Sequence, residues 1–114
     1  MDLPQRQSNL PDGNWIPNCD FWASKSNMVV LVELAGVRSG DIEIEVQGNS
    51  LRIIGNRSNP ALADGTKKMN GGIKFGRFSA ILELPSGYDL TGSKAAYMNG
   101  FLRIDVPADA RAPA

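Results

Sequence analysis

The chain has 114 residues, 42% of them hydrophobic, and its 12 basic and 12 acidic side chains give a formal net charge of zero. This length suits one domain with a core of its own. A balanced charge supplies no long-range attraction to phosphate backbones or anionic membranes, so we expect neither nucleic acid nor a membrane as a partner.

The terminal segments and the cysteine content indicate a cytoplasmic protein. The single cysteine, Cys19, excludes an internal disulfide and fits a reducing compartment. No run approaches the roughly 18 apolar residues of a membrane span, and the first residues, MDLPQRQSN, lack the order of a secretory signal. Residues 1–18 are rich in Pro, Asn and Gln, so we expect a short flexible arm there, a domain over 19–107 and a flexible tail over 108–114.

Apolar and polar residues alternate from residue 28 onward, which predicts an all-β domain. Residues 28–34, MVVLVEL, are apolar on both faces of the pattern, so we expect a strand that is covered on both sides. Residues 42–47, IEIEVQ, alternate strictly and predict a half-buried strand. Its apolar face consists of Ile42, Ile44 and Val46.

Two Gly-Asn or Asn-Gly pairs predict tight turns between strands. Gly48-Asn49 should fold residues 50–56 back on the preceding strand, and Asn99-Gly100 should join residues 95–98 to residues 101–107. The side chains that these hairpins direct at the core are Leu51, Ile53, Leu102, Ile104 and Val106.

Residues 56–75 interrupt the pattern with Pro60, three glycines and few apolar side chains, which predicts a long excursion outside the core. The alternation resumes over residues 76–85, and its apolar face holds Phe78, Ala80, Leu82 and Leu84. Short strands at regular intervals favour a sandwich or a barrel.

The sequence offers little for catalysis, because the usual general base and imidazole metal ligand are missing from a chain without histidine. Cys19 lacks an imidazole to activate it, so we interpret it as a packing residue. Glu43 and Glu45 lie on one strand face and are expected to be solvated. Lys67 and Lys68 are too few to form a nucleic-acid patch. We predict no catalytic residue, no metal site, no cofactor and no enzymatic activity.

Three aromatic residues precede the first alternating strand: Trp15, Phe21 and Trp22. They are compatible with a ligand platform, but aromatic side chains beside a first strand more often seal the edge of a sandwich. We favour the sealing interpretation.

Five segments together resemble the α-crystallin domain of the small heat-shock proteins, of the bacterial and plant type. Residues 95–102, AAYMNGFL, are similar to the family's A-x-x-x-n-G-v-L signature, with Ala95, Asn99, Gly100 and Leu102 at the matching positions. The other four segments are WIPNCDF at 15–21, ELAGV at 33–37 followed by Asp41-Ile42, LRIIGNR at 51–57, and FGRF at 75–78 followed by Leu84-Pro85. The resemblance covers about residues 15 to 107.

The resemblance implies an immunoglobulin-like β-sandwich that acts without ATP as a holdase for partly unfolded proteins. It also implies that a strand within the long excursion crosses to the first strand of a partner subunit, forming a homodimer. The residues implied on the crossing strand are Lys68, Met69 and Asn70, and those on the receiving strand are Asp20, Phe21 and Trp22.

A client groove is implied between residues 42–47 and the segment that leads into residue 95. The residues expected to line it are Ile44, Val46, Leu90 and Ala96. The alternation of Ile44 and Val46 is equally consistent with an ordinary core position, so both interpretations stay open at this point.

Several departures from the family pattern favour a dimer or small assembly. Ala80 stands in place of a usual arginine, Gly71-Gly72 weakens the crossing strand, and no I-x-I motif follows Pro107. Two other functions stay open: an adaptor of the CS-domain type that binds a folded partner, and a structural component that uses the sandwich for assembly alone.

Overall fold

The computed structural model describes residues 14–109, and within this range the chain forms seven β-strands in two antiparallel sheets. One sheet has the order β1-β2-β7-β6 and the other has the order β3-β4-β5. The strands are β1 (Cys19–Ala23), β2 (Asn27–Glu33), β3 (Ile42–Gln47), β4 (Ser50–Arg57), β5 (Gly76–Glu83), β6 (Lys94–Met98) and β7 (Phe101–Pro107). The all-β domain predicted from the alternation is confirmed. Of the sandwich and the barrel that the pattern left open, the chain forms the sandwich, as the family resemblance implies.

Apolar side chains from both sheets meet in one core between them. Alternate residues of β2 and β7 enter the core from one sheet, and alternate residues of β4 and β5 enter it from the other. Because a strand shows every second residue to the same face, the inward set follows the predicted period of two. The buried side chains that were predicted are Met28, Val30, Val32, Leu34, Leu51, Ile53, Phe78, Ala80, Leu82, Leu84, Leu102, Ile104 and Val106.

The outer face of β2 is less covered than the sequence predicted. Val29 and Leu31 are half-buried and Glu33 is exposed. They lie on the outer face of the four-stranded sheet, since their neighbours Met28, Val30 and Val32 take the core face. The prediction that this strand is covered on both sides is therefore wrong for its second face.

The two ends of the described chain, which the sequence assigned to the arm and the tail, are bonded to the sandwich. The Ser79 N–H donates to the Trp15 carbonyl at 3.2 Å, and the Ala108 N–H donates to the Ser26 carbonyl at 2.9 Å. Pro17 is fully buried. Packing the indole of Trp15 and the ring of Pro17 against the edge of the core removes apolar surface from water, which stabilises this arrangement.

The turn between β6 and β7 lies at Asn99-Gly100, as predicted, with φ of 54° at Asn99 and 84° at Gly100. Positive φ at both central residues is the geometry of a type I′ turn, which matches the twist of the flanking strands. The Leu34 N–H donates to the Gly100 carbonyl at 2.7 Å, so the turn is also fastened to the connection between β2 and β3. The hairpin therefore has a fixed register and a fixed place on the sandwich.

Candidate functional site

Strand edges are the candidate sites for binding other chains, because their unpaired N–H and C=O groups can accept another strand. The edge strands are β1 and β6 in one sheet, and β3 and β5 in the other. Trp15 forms a parallel bridge to Phe78, so residues 14–16 partly cover the edge of β5. Within residues 14–109, this leaves β1, β3 and β6 as candidate pairing edges.

The free edge of β1 can be assigned residue by residue. The Asn18 carbonyl accepts from the Glu33 N–H at 3.0 Å, and the Ser24 N–H donates to the Asn27 carbonyl at 2.8 Å. Since backbone groups alternate in direction along an antiparallel strand, Asp20 and Trp22 also bond to β2. The main-chain groups directed at the free edge are those of Cys19, Phe21 and Ala23.

The aromatic side chains near β1 divide between sealing and exposure. Trp15 is half-buried, its ring lies 5.2 Å from that of Phe78, and its Nε1 donates to the Gly76 carbonyl at 3.0 Å. Phe21 also packs against the core. Trp22 is 55% exposed on the outer sheet face, so the sealing interpretation is wrong for this residue.

The excursion between β4 and β5 leaves three large apolar side chains in solvent, Leu62, Met69 and Ile73, and Met69 is 91% exposed. Lys68, Met69 and Asn70 lie outside the strands that the described single chain forms. A crossing strand forms its hydrogen bonds with a partner subunit, and the structure describes a single chain. The contact of these three residues with the partner's β1 therefore stays a prediction.

Arg57 joins the base of the excursion to the sandwich. Its Nε donates to the Lys74 carbonyl at 2.8 Å, and its Nη1 donates to the Ala35 carbonyl at 3.0 Å. Its guanidinium carbon lies 4.3 Å from the ring centroid of Trp15. The sequence pattern placed Arg57 in a motif but gave no sign of these partners, which lie in three separate segments.

The apolar face of β3 is directed toward the core side of its sheet but is only partly covered. Ile44 pairs with Ile53, and Val46 pairs with Leu51, so all four side chains share one face. Ile53 and Leu51 are fully buried, whereas Ile44 is 36% exposed and Val46 is 41% exposed. The alternative that Ile44 and Val46 are ordinary core residues therefore does not hold.

Two other residues predicted to line the groove take different positions. Leu90 is only 5% exposed and belongs to the core, because the turn Leu90–Gly92 directs it inward. Ala96 pairs with the exposed Arg103 and lies on the outer sheet face. The β6 residue that shares the core side with Ile104 is Ala95, which is exposed. The groove positions of Leu90 and Ala96 are thus corrected.

The strand β6 is held in place by Tyr97, whose hydroxyl oxygen lies 2.6 Å from the carbonyl oxygens of both Leu34 and Val37. Its single proton is shared between these two acceptors. This partly buried contact ties β6 to the connection between β2 and β3. Edge strand β6 is therefore a rigid neighbour for any chain that binds beside it.

Cys19 is a poor nucleophile in this structure. Burial, with a smaller contribution from the negative charge of Asp20, raises the pKa of its thiol to about 12. Its Sγ lies 3.6 Å from the Pro17 carbonyl. These surroundings support the packing role expected from the sequence.

The two acidic side chains of β3 lie on its solvent-facing side, as the sequence predicted. Glu43 and Glu45 are exposed, and Arg52 Nη1 donates to Glu45 Oε1 at 3.4 Å. Across residues 14–109, no group of three or more His, Cys, Asp or Glu side chains is positioned to hold a metal ion. The same part of the chain has no helix long and apolar enough to cross a membrane.

Comparison with known proteins gives a consistent result. Residues 20–114 match the model of the Hsp20/alpha crystallin family. A 19.0 kDa class II heat shock protein of Oryza sativa subsp. japonica is 34% identical over 93% of this chain and 71% of its own length. Heat shock protein 16 of Schizosaccharomyces pombe is 27% identical over 91% of this chain and 73% of its own length.

Solved structures share the same architecture. The hspA protein of Xanthomonas axonopodis is 26% identical, with a TM-score of 0.75 over 84% of this chain and 96% of that chain. A small heat-shock protein of Xylella fastidiosa, described as having a distinct high order structure, is 24% identical. Its TM-score is 0.77 over 90% of this chain and 94% of that chain, a likeness of fold.

Proposed function

Because this chain belongs to the Hsp20/alpha crystallin family, whose members are chaperones rather than enzymes, we propose that it is an ATP-independent holdase. In this role it binds partly unfolded proteins and suppresses their aggregation, and it needs no cofactor. Holding requires an apolar surface that an extended client segment can reach. The partly exposed apolar face of β3 is such a surface.

The observation that carries this proposal is the exposure of Ile44 and Val46, at 36% and 41%, on the face that their partners Ile53 and Leu51 bury. Apolar surface removed from water stabilises a complex by about 25 cal/mol per Å². A client segment lying along β3 adds main-chain hydrogen bonds at the sheet edge, and these do not depend on its sequence. Sequence-independent bonding with apolar contact suits many different unfolded clients.

The assembly that we propose is a homodimer or a small homo-oligomer. In it, Lys68, Met69 and Asn70 of one subunit lie along the partner's β1. The main-chain groups of Cys19, Phe21 and Ala23 support this arrangement, because they point away from β2. Pairing two chains there satisfies these groups and removes an exposed edge.

The test is light scattering of citrate synthase at its aggregation temperature, without ATP, with increasing amounts of the chain. Suppression by the wild type supports the holdase, and addition of ATP should not change it. Ile44→Asp and Val46→Asp place a charge on the apolar face and should each reduce suppression about fivefold, the equivalent of about 1 kcal/mol of lost binding. Glu43→Gln, on the polar face of the same strand, should retain it.

Equal suppression by all four proteins would contradict a client site on β3. No suppression by the wild type would contradict the holdase and favour the adaptor or the structural component. Binding of one folded partner protein would then favour the adaptor over the structural component. A cytoplasmic location stays a prediction of the sequence, which cell fractionation tests.

A further inference from the structure

Arg57 fastens the excursion at its base. Arg57 is the last residue of β4, and its guanidinium reaches the Lys74 carbonyl at 2.8 Å, where the excursion returns to β5. The same group reaches the Ala35 carbonyl at 3.0 Å and stacks 4.3 Å from the ring centroid of Trp15. One side chain thus connects the excursion, the β2–β3 connection and the segment before β1.

These contacts use properties that belong to arginine. A guanidinium presents several N–H donors in a fixed plane and offers that plane to an aromatic ring, whereas a lysine ammonium is a flexible point charge. The partners of Arg57 are two backbone carbonyls and an aromatic ring, none of which carries a formal charge. The strength of these contacts therefore depends on the orientation of the guanidinium more than on attraction between charges. We expect it to be less sensitive to salt than an exposed ion pair.

The anchoring lies beside the proposed dimer contact. A cleft of about 640 Å³ is lined by Arg57 and by the base of the excursion, residues 72–75. Asn18 and Glu33 also line this cleft, and the Glu33 N–H donates to the Asn18 carbonyl directly before β1. The anchor therefore stands at the end of the edge that would receive a partner's strand.

We propose that Arg57 is a positioning residue for dimer formation, a role that rests on the proposed strand exchange. It holds residues 72–75 against the sandwich, so that residues 58–71 leave from a fixed base toward the partner. Ordering this base before association lowers the entropic cost of pairing. Loss of the two hydrogen bonds and the stacking contact releases the base and weakens the dimer.

The experiment compares the full chain with Arg57→Lys, which keeps the charge and loses the planar group. Arg38→Lys is the matched control, because Arg38 is exposed and bonds Asp41 at 3.3 Å on the β2–β3 connection. Hydrogen exchange by mass spectrometry reports the mobility of residues 58–75 and of the core strands. Sedimentation equilibrium gives the dimer dissociation constant.

Arg57→Lys should raise the dissociation constant about tenfold, the scale of two lost hydrogen bonds, and speed exchange in residues 58–75. Exchange of β2 and β7 should stay at the wild-type rate, as should all readouts for Arg38→Lys. An unchanged dissociation constant, or acceleration spread equally over the core strands, would overturn the proposal. A wild-type chain that remains monomeric would overturn the dimer itself, and the exchange of residues 72–75 would still show whether Arg57 holds the base.

Discussion

Gly55 and Phe78 face each other across β4 and β5 so closely that a Cβ on Gly55 would lie 2.6 Å from Cζ of the Phe78 ring. The same Cβ would also overlap the backbone carbonyl of Asp41. Neither neighbour can move away easily, because the Phe78 ring is buried in the core and the Asp41 carbonyl belongs to the backbone. Gly55→Ala should therefore lower the free energy of unfolding by about 2 to 3 kcal/mol, the usual scale of overpacking.

Urea denaturation measures this change, and Gly40→Ala supplies the control. A Cβ on Gly40 meets no atom within 4 Å, and its φ lies outside the left-handed region. That variant should stay within about 0.5 kcal/mol of wild type, as surface substitutions usually do. Equal stability of the two variants would show that the backbone of β4 can move away from Phe78.

Much of the sandwich could be predicted because its inward side chains follow a period of two without interruption. Val30, Val32, Ile104 and Val106 needed no information beyond their spacing. The turn at Asn99-Gly100 was equally predictable, because this pair tolerates the positive φ that a type I′ turn requires.

The positions that sequence reasoning missed depend on geometry between distant segments. Leu90 is an isolated apolar residue in a connection, and a short turn capped by the Asp89 side chain directs it inward. Ala95 and Ala96 are both small, so the pattern allows either to face the core side, and only the register with β7 decides. The partners of Arg57 carry no local signal at all.

The register of β6 predicts that the same substitution has different effects at two neighbouring alanines. Ala95→Glu places a charge on the core side of the edge strand β6. If β6 forms the second wall of the client groove expected from the sequence, this charge should reduce suppression of aggregation about fivefold. Ala96→Glu places the same charge on the outer face next to Arg103 and should leave suppression unchanged. The light-scattering assay of citrate synthase checks both, with thermal unfolding as a control for stability.

A larger loss from Ala96→Glu than from Ala95→Glu would contradict this assignment. Clients would then bind the outer face of the four-stranded sheet, where Met98 is 68% exposed and Phe101 is 44% exposed.

The raised pKa of Cys19 predicts slow alkylation in the folded protein. Burial, with a smaller effect from Asp20, raises this pKa from 9.0 to about 12, so the thiolate is scarce at pH 8.5. Iodoacetamide at pH 8.5 should modify Cys19 much more slowly in buffer than in 8 M urea. Similar rates in both solutions would show that the thiol is accessible and unperturbed.

The same pKa predicts how stability changes with pH. A thiol whose folded pKa exceeds its unfolded pKa binds its proton more tightly in the folded state, so its contribution is complete below pH 9 and is lost as the pH rises toward 12. Urea midpoints measured between pH 8 and pH 11 should fall for the wild type. Cys19→Ala should show a smaller fall over this range, and parallel curves would contradict the assignment.

The main-chain directions of β1 predict a substitution that blocks the dimer and spares the fold. Ala23→Pro removes an N–H that points away from β2, and proline is tolerated on the free side of an edge strand. Sedimentation equilibrium should therefore show a chain shifted toward the monomer, with its β1–β2 hairpin intact by hydrogen exchange. Ala23→Thr keeps the donor and favours a strand, so it should dimerise as the wild type does. If Ala23→Pro dimerises equally well, the partner does not bind along this edge.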